Sequence, residues 1–240
     1  MVYREKLLTK NNWSRPVRDY DMKQIKGIVL HWIAAPKQTP EHVYNWFEGR
    51  KNGKNGFGSA HYCVGLDGEV WQYIPQSEMA YHVGSETYTE EALKRLGTYP
   101  NNSTLGIEMC HTSWEGEFTK DTWEETKLLS ALLLMEYNLE ISDLTTHKKV
   151  VGWKECPRWF HLFPAELDRF KEETYTIMEG GVKGKVNATW GLNVRNDVMG
   201  AKVGWLKNGQ EVDINGFKDG WFRVITDDFQ GYASSRYINI

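Results

Sequence analysis

The sequence predicts an α/β domain, with a mixed central sheet covered by helices, followed by a small all-β barrel. Up to Met178, apolar segments typical of buried strands alternate with segments that have a helical period. From Val182 onward that period disappears, and short strand-like runs separated by turns follow one another. The expected domains are residues 1–178 and 185–240, joined by the Gly-rich linker 179–184.

The first half of the chain predicts strands separated by a helix. The segment KGIVLHWIA is apolar and rich in β-branched residues, as in a buried strand. A helix is predicted in TPEHVYNWFEGRK, with Thr39 as its N-cap and Pro40 at its first position. A hairpin follows in SAHYCVGLDGEVWQYIP, with Asp67 and Gly68 in its turn, and STLGIEMCH is a further strand.

Two longer helices complete this domain. TWEETKLLSALLLMEYNLE has Thr122 three residues before Glu125, which is the spacing of a capping box, and a wide apolar stripe that would pack on the sheet. FPAELDRFKEETYTIM has Pro164 near its start. The segment between them, THKKVVGWKECP, is expected to be a non-helical loop.

Composition excludes several classes of protein. With 40% hydrophobic and 25% charged residues, the chain is globular rather than disordered. From residue 181 onward, eight basic and six acidic residues give +2, which leaves −5 for the rest of a chain with net charge −3. Neither value indicates the basic surface that a nucleic-acid partner requires. Three cysteines, an odd number, indicate no disulfide framework.

The N-terminal segment MVYREKLLTKNNW has no apolar core of the kind that a secretory signal contains. No apolar run approaches the ~18 residues that a membrane helix requires. We therefore expect synthesis in the cytoplasm without a signal peptide, and no membrane insertion.

A few polar side chains interrupt this apolar pattern. His31 ends one predicted strand, and Glu108 lies inside another, where a buried carboxylate is normally paired, bound to metal or reactive. His147, Lys154 and Cys156 follow within one short segment. Two histidines and a cysteine are ligands that zinc prefers, and they leave a fourth position open for catalysis. The spacing alone leaves two interpretations open, a metal site and a surface turn with a buried thiol.

These segments resemble the zinc-dependent N-acetylmuramoyl-L-alanine amidases of the AmpD type, a family that includes phage lysins and the peptidoglycan-recognition proteins. The matching segments, in the family's order over residues 25–160, are GIVLHWIA, SAHYCVGLDGEVWQYIP, AYHVGS, NNSTLGIEMC and THKKVVGWKECP. The resemblance implies that His31, His147 and Cys156 bind Zn²⁺ as cofactor. It also implies that Glu108 is the catalytic glutamate and that Lys154 stabilises the oxyanion of the intermediate.

The sequence departs from some relatives at two positions. Cys156 stands where some relatives have an aspartate ligand, and Ala60 stands where some have a catalytic tyrosine, so Glu108 is the only evident base. His82, in AYHVGS, is a candidate for substrate contact, with a structural role in the cleft wall as the alternative.

The C-terminal segment resembles a bacterial SH3-like domain. It has that family's opening LNVR, its central GW and its closing G-Y…Y. Such domains bind the cell wall, often its peptide cross-bridges. Together, the two resemblances imply a peptidoglycan hydrolase that cleaves the amide between N-acetylmuramic acid and L-alanine. The expected biology is a phage or prophage endolysin that lyses Gram-positive cells, with a host autolysin as the alternative. The oligomeric state and the wall ligand of the SH3-like domain stay open.

Three other functions compete with this one. A cell-wall cysteine peptidase would use Cys156 as its nucleophile, but Pro157 follows directly and no helix is predicted to begin at the thiol and lower its pKa. A non-catalytic peptidoglycan-binding protein would not need its ligand positions filled. A glycosidase needs two carboxylates, and only Glu108 stands out.

Overall fold

A six-stranded mixed sheet forms the middle of the N-terminal region in the computed structural model, which describes residues 1–19 and 24–240. Its strands are β1 (Tyr3–Glu5), β2 (Gly27–Trp32), β3 (Tyr62–Val64), β4 (Val70–Gln72), β5 (Thr104–Met109) and β6 (Leu144–Thr146). They lie in the order β1-β4-β3-β5-β2-β6. The hairpin β3–β4 is antiparallel, and the other strand pairings described in this sheet are parallel. The predicted mixed sheet and hairpin are confirmed.

Helices cover this sheet, as the sequence predicts. They are α1 (Pro40–Glu48), α2 (Glu90–Leu96), α3 (Lys120–Glu136), α4 (His147–Val151), α5 (Arg158–Leu162) and α6 (Pro164–Gly180), with 3-10 turns at Gly49–Asn52, Pro100–Asn102 and Ile141–Asp143. Within the described ranges, none of them has the length and apolar character needed to cross a membrane.

Two local predictions are wrong. The N-cap of α3 is Thr119, whose hydroxyl accepts a hydrogen bond from the Thr122 backbone N–H at 3.0 Å. The Thr122 hydroxyl instead donates to the Gly65 carbonyl. The segment THKKVVGWKECP, predicted to be non-helical, contains α4, which Thr146 caps in the same way. The hydroxyl of a serine or threonine at the N-cap accepts a hydrogen bond from a backbone N–H that the first helical turn leaves unpaired. Thr119 and Thr122 can both accept such a bond, so the sequence alone does not identify the cap of α3.

An antiparallel sheet of seven strands forms the C-terminal β-region, residues 182–240. Its strands are β7 (Val182–Val186), β8 (Leu192–Arg195), β9 (Lys202–Leu206), β10 (Glu211–Lys218), β11 (Trp221–Ile225), β12 (Gln230–Ser234) and β13 (Ile238–Asn239), with a 3-10 turn at Ser235–Tyr237. Their order is β13-β7-β10-β11-β12-β8-β9. The all-β character is confirmed, whereas an SH3-like barrel stays a prediction. Of the predicted linker 179–184, only Gly181 lies between α6 and β7.

Helix α3 lies between the two regions and is packed on several sides. It contacts the N-terminal sheet, α6 and β10. From residue 126 to residue 136 every position is buried or half-buried, which is typical of a helix with neighbours all around. Residues of both regions consequently belong to one hydrophobic core.

Polar contacts fix the C-terminal end of α3 to the β-region. The Arg223 guanidinium donates to the Met135 carbonyl at 2.8 Å and to the Glu136 carbonyl at 3.3 Å. These carbonyls end a helix and have no partner within it. The Glu136 carboxylate accepts from the Tyr232 hydroxyl at 2.5 Å, and Gly216 leaves room for it, because a Cβ there would lie 2.1 Å from Glu136 Oε2.

A second polar contact joins the β10–β11 turn to the N-terminal sheet. The Asp219 carboxylate accepts from the Gln72 side chain at 2.6 Å and from the Gln76 backbone N–H at 3.0 Å. The Gln76 side chain in turn donates to the Phe217 carbonyl. The two regions therefore pack directly against each other, and we expect them to unfold together.

Removal of the Arg223 side chain tests this packing. Arg223→Met removes a donor from the end of α3 and the neighbouring cation from the buried Glu136 carboxylate, so we expect a loss of about 2 kcal/mol in the free energy of unfolding. Arg236→Met, at an exposed arginine of the same region, is the matched control and should change stability by less than about 0.5 kcal/mol. Urea unfolding of the whole chain measures both, and equal effects of the two substitutions would contradict the role of Arg223.

Candidate metal centre

The carboxyl ends of three parallel strands bring the predicted site residues together. Strand β2 pairs with β5 so that His31 lies opposite Glu108, and with β6 so that Leu30 lies opposite Thr146. Residues paired across neighbouring strands point to the same face of a sheet. The side chains of His31 and Glu108 are therefore neighbours, and His147 leaves the end of β6 beside them.

The segment after β6 returns Cys156 to the same place. Thr146 caps α4 by accepting a hydrogen bond from the Lys149 backbone N–H at 3.3 Å. The Lys148 backbone N–H then donates to the Cys156 carbonyl at 2.9 Å. This bond closes the loop, so that Cys156 lies next to the first residue of α4, His147.

Three buried donor atoms converge at this edge of the sheet. His31 Nδ1 lies 3.1 Å from His147 Nδ1 and 3.7 Å from Cys156 Sγ. In a tetrahedral zinc site, usual bond lengths separate two nitrogens by ~3.3 Å and a nitrogen from a sulfur by ~3.6 Å. Both separations from His31 are therefore close to those around such an ion, and all three donors lie within 4.8 Å of one another. Among residues 1–19 and 24–240 the cluster is the one group of three or more histidine, cysteine and acidic side chains arranged to hold a metal.

Burial keeps all three donors uncharged before a metal binds. It lowers the pKa of His147 to about 3, with a further contribution from the Lys154 charge, and it lowers the pKa of His31 well below the usual value. Burial also raises the pKa of the Cys156 thiol to about 12. The imidazoles are thus in the neutral form that binds metals, and the thiol would release a proton on binding.

His82 lies directly against His31. Its Nδ1 lies 3.0 Å from His31 Nε2, and its Nε2 lies within hydrogen-bonding distance of Thr104. The side chain is buried, with 7% of its surface exposed. Both ring nitrogens have partners inside the protein, and His82 is also among the residues that line the cleft, so the substrate contact stays a prediction.

Glu108 and Lys154 lie near the cluster in different environments. The Glu108 carboxyl is half-buried at the cleft, and its Oε2 has no hydrogen-bond partner among the described residues. Burial raises its pKa to about 8, which the Lys154 charge opposes. The exposed Lys154 lines the same cleft, and its charge also affects the pKa values of His31, His147 and Cys156.

A cleft with a volume of about 1180 Å³ opens over these groups. Sequence reasoning missed part of its wall, which includes Trp46 at the end of α1 and the neighbouring Arg50 and Phe57. Trp46 and Phe57 are exposed, and the Arg50 guanidinium lies 5.0 Å from the centre of the Trp46 ring. Their proximity to His31 depends on long-range packing, and no local motif indicates it.

The family comparison agrees with this site. The model of the N-acetylmuramoyl-L-alanine amidase family matches residues 21–159, more than half of the chain. A probable N-acetylmuramoyl-L-alanine amidase of Bacillus licheniformis is 28% identical over 168 residues, which are 70% of this chain and 46% of that protein. The N-acetylmuramoyl-L-alanine amidase CwlL of the same species is 26% identical over 169 residues, 70% of this chain and 45% of that protein. The chain thus matches about half the length of these curated relatives.

Solved structures share the fold of the N-terminal region. The PlyG catalytic domain superimposes with a TM-score of 0.58 at 18% identity, covering 74% of this chain and 96% of that domain. The catalytic domain of XlyA gives 0.55 at 19% identity, with coverages of 72% and 99%. A mutant endolysin from Bacillus subtilis gives 0.55 at 22% identity, with the same coverages. At these identities, the likeness establishes the α/β fold.

The raised pKa of Glu108 predicts that this carboxyl group lowers the free energy of unfolding of the metal-free protein by an amount that depends on pH. A carboxyl group whose pKa rises from 4.5 in the unfolded chain to about 8 on folding destabilises the folded state increasingly as the pH rises between these values. Glu108→Gln removes the ionisation, so we expect the variant to be more stable than the parent. The gap should widen from pH 5 to pH 8 and reach about 1–2 kcal/mol, since the side chain is only half-buried.

Thermal unfolding in the presence of a chelator measures this gap across the pH range. Glu115→Gln, at an exposed glutamate, is the matched control and should show no such widening. A constant gap between the Glu108→Gln variant and the parent would mean that burial does not hold the proton on this carboxyl group.

Proposed function

The chain belongs to the N-acetylmuramoyl-L-alanine amidase family, and on this basis we propose that it is a peptidoglycan hydrolase that cleaves the amide between N-acetylmuramic acid and L-alanine. The observation that carries the proposal is the buried cluster of His31, His147 and Cys156 beside Glu108, within one cleft. We place the protein among the endolysins that act on the cell wall. Its partner in the cleft is a muramyl peptide.

The proposed cofactor is Zn²⁺, held by His31, His147 and Cys156. The nitrogen and sulfur donors and their spacing support zinc, since harder ions such as Mg²⁺ and Ca²⁺ prefer oxygen ligands. When bound, zinc supplies a Lewis acid that activates water near neutral pH and polarises a carbonyl group.

Glu108 is the group in this site that can move the proton. It takes a proton from the attacking water and returns it to the nitrogen of L-alanine as the amide bond breaks. Burial raises the pKa of this carboxyl group in the metal-free site, and a carboxylate with a raised pKa is a stronger proton acceptor. Positioned proton transfer of this kind contributes ~10²–10⁴ in rate.

Lys154 is suited to the charge that develops on the carbonyl oxygen. Its ammonium group is close enough to the cluster to affect several of its pKa values, and it forms no ion pair with the residues that the structure describes. A cation placed there stabilises the oxyanion of the tetrahedral intermediate. Removal of one such group typically costs ~10²–10³ in rate.

The alternative functions have less support. Cys156 Sγ lies near an imidazole, as in a cysteine peptidase, but the thiol is 2% exposed and burial raises its pKa to about 12. A peptidase nucleophile needs an accessible thiol with a lowered pKa. A purely binding protein would not require the metal donors, the carboxylate and the lysine in one place.

For the C-terminal β-region, we propose an SH3-like fold that binds a wall peptide or cross-bridge. Trp190, just before β8, is 90% exposed, and Trp205 on the adjacent β9 is also exposed. The Trp205 ring packs against the backbone of Gly191, so the two indoles belong to one edge of the sheet. Exposed aromatic side chains are a common means of binding ligands at a surface. Because the region packs on α3, this edge has a fixed position relative to the cleft.

Digestion of purified peptidoglycan tests the amidase. We expect new L-alanine amino termini without new reducing sugar ends, loss of activity on chelation and recovery with Zn²⁺. Glu108→Gln should lower kcat by ~10²–10⁴, and Lys154→Met by ~10²–10³. Lys149→Met, at an exposed lysine of α4 outside the cleft, is the matched control for charge and should retain activity.

Each outcome of this digestion distinguishes a function. New amino termini that are not L-alanine and that persist after chelation would identify the cysteine peptidase. Binding to peptidoglycan without any product would identify a recognition protein. Reducing ends would identify a glycosidase. Any of these results overturns the amidase.

The wall-binding surface is tested separately by sedimentation with purified Gram-positive walls, in the Glu108→Gln background so that the wall stays intact. Trp190→Ala should weaken binding about tenfold, since the loss of one central aromatic contact costs more than ~1 kcal/mol. Tyr237→Ala, at an exposed aromatic near the opposite edge of the sheet, is the matched control. Unchanged binding of the Trp190 variant would remove this edge from the wall interface.

A further inference from the structure

The two ring nitrogens of His31 face different surroundings. Nδ1 points toward the proposed ligands His147 and Cys156, at 3.1 and 3.7 Å. Nε2 lies 3.0 Å from Nδ1 of His82, which the sequence alone had suggested as a substrate contact. A neutral imidazole carries its proton on one nitrogen and offers a lone pair on the other. Which nitrogen of His31 can bind a metal therefore depends on which one is protonated.

The partners of His82 determine this protonation. Its Nε2 lies 3.2 Å from the Thr104 carbonyl oxygen and 3.1 Å from the Thr104 hydroxyl. The carbonyl can only accept, and the hydroxyl gives its own proton to the Pro100 carbonyl at 2.7 Å. Nε2 of His82 must then be the donor, which leaves its Nδ1 as an acceptor. The proton between the two rings consequently belongs to His31 Nε2, and the lone pair of His31 Nδ1 faces the ligands.

The surrounding backbone holds the His82 ring in this place. The buried Asn101 side chain accepts hydrogen bonds from the backbone N–H groups of His82 and Val83, at 3.2 and 2.9 Å. On β5, the ring lies against Gly106, where a Cβ would be 2.7 Å from two of its atoms. Any other residue at position 106 would push the ring away from its present position.

We propose that His82 is a positioning residue, which accepts the Nε2 proton of His31 and thereby fixes the tautomer and orientation of His31 for metal binding. This inference rests on the proposed metal site and is independent of which bond the enzyme cleaves. Groups that orient a metal-binding histidine in this way usually change metal affinity by 10–100-fold when they are removed.

Zinc affinity, measured without substrate by competition with a chromogenic chelator, tests the proposal. His82→Phe keeps a ring but removes the acceptor, and we expect it to raise the zinc dissociation constant ~10–100-fold. His82→Asn keeps an acceptor oxygen near the position of Nδ1 and should restore most of the affinity. His111→Phe, at a buried histidine that does not contact the cluster, is the matched control and should bind zinc like the parent.

The outcomes separate this proposal from the proposed function. If the parent binds no zinc, the metal site itself fails. The inference is wrong if the parent binds zinc and both His82 variants bind it as tightly as the parent does. It is also wrong if His82→Asn loses as much affinity as His82→Phe, because an acceptor at this position then makes no difference.

Nitrogen NMR of the unmodified, metal-free protein gives a second test that does not depend on a variant folding. We expect the rings of His31 and His82 each to carry the proton on Nε2. A proton on Nδ1 of His31 would overturn the proposal even if every variant behaved as expected.

Discussion

The register between β2 and β5 is the constraint on which the site depends. A shift of one residue along either strand would turn His31 or Glu108 to the other face of the sheet. Strand β2 is buried almost throughout, so alternation of polar and apolar residues does not specify this register. Each of the two strands also has a glycine at a point of close approach to a neighbouring segment. A Cβ at Gly27 would lie 3.2 Å from the Asp143 carbonyl, and one at Gly106 would meet the His82 ring. The contact at Gly106 belongs to the site, because the His82 ring lies against His31.

Most elements of the fold could be predicted because their signals are local, as with the cap before α1 and the hairpin turn at Asp67 and Gly68. The relation between the two regions could not. The Gly-rich segment EGGVKGK has the composition of a linker, yet Gly184 lies within β7. A larger residue would not fit there, since a Cβ would be 2.5 Å from Ile238 and 2.7 Å from Ile214. The same residue type serves flexibility in one context and close packing in another, and sequence composition does not distinguish them. The apolar stripe of α3 likewise predicted packing on the sheet, but not a second contact surface with β10.

The site shows the same division between local and long-range information. His147, Lys154 and Cys156 lie within one segment, and Glu108 is conspicuous as a carboxylate in an apolar strand, so all four could be selected from the sequence. The place of His82 depends on Thr104 and Asn101, about 20 residues away in the chain, and on the missing side chain of Gly106. No local sequence pattern identifies the role of a histidine whose hydrogen-bond partners lie in a distant part of the chain.

In the proposed mechanism, the charge of Lys154 has opposite effects on metal binding and on the reaction. The same positive charge repels an incoming metal ion and attracts a developing oxyanion. Lys154 is exposed at the cleft, and a unit charge 4 Å from a divalent ion in water interacts with it by only ~2 kcal/mol, so the repulsion in the open site is small. A substrate that fills the cleft displaces this water, and at an effective dielectric constant near 20 the same charge is worth ~4 kcal/mol. The donors themselves are uncharged through burial, so they add no repulsion of their own. In the proposed mechanism, the exposure of the lysine and the burial of the ligands are thus complementary, because the site would accept a cation first and stabilise an anion later.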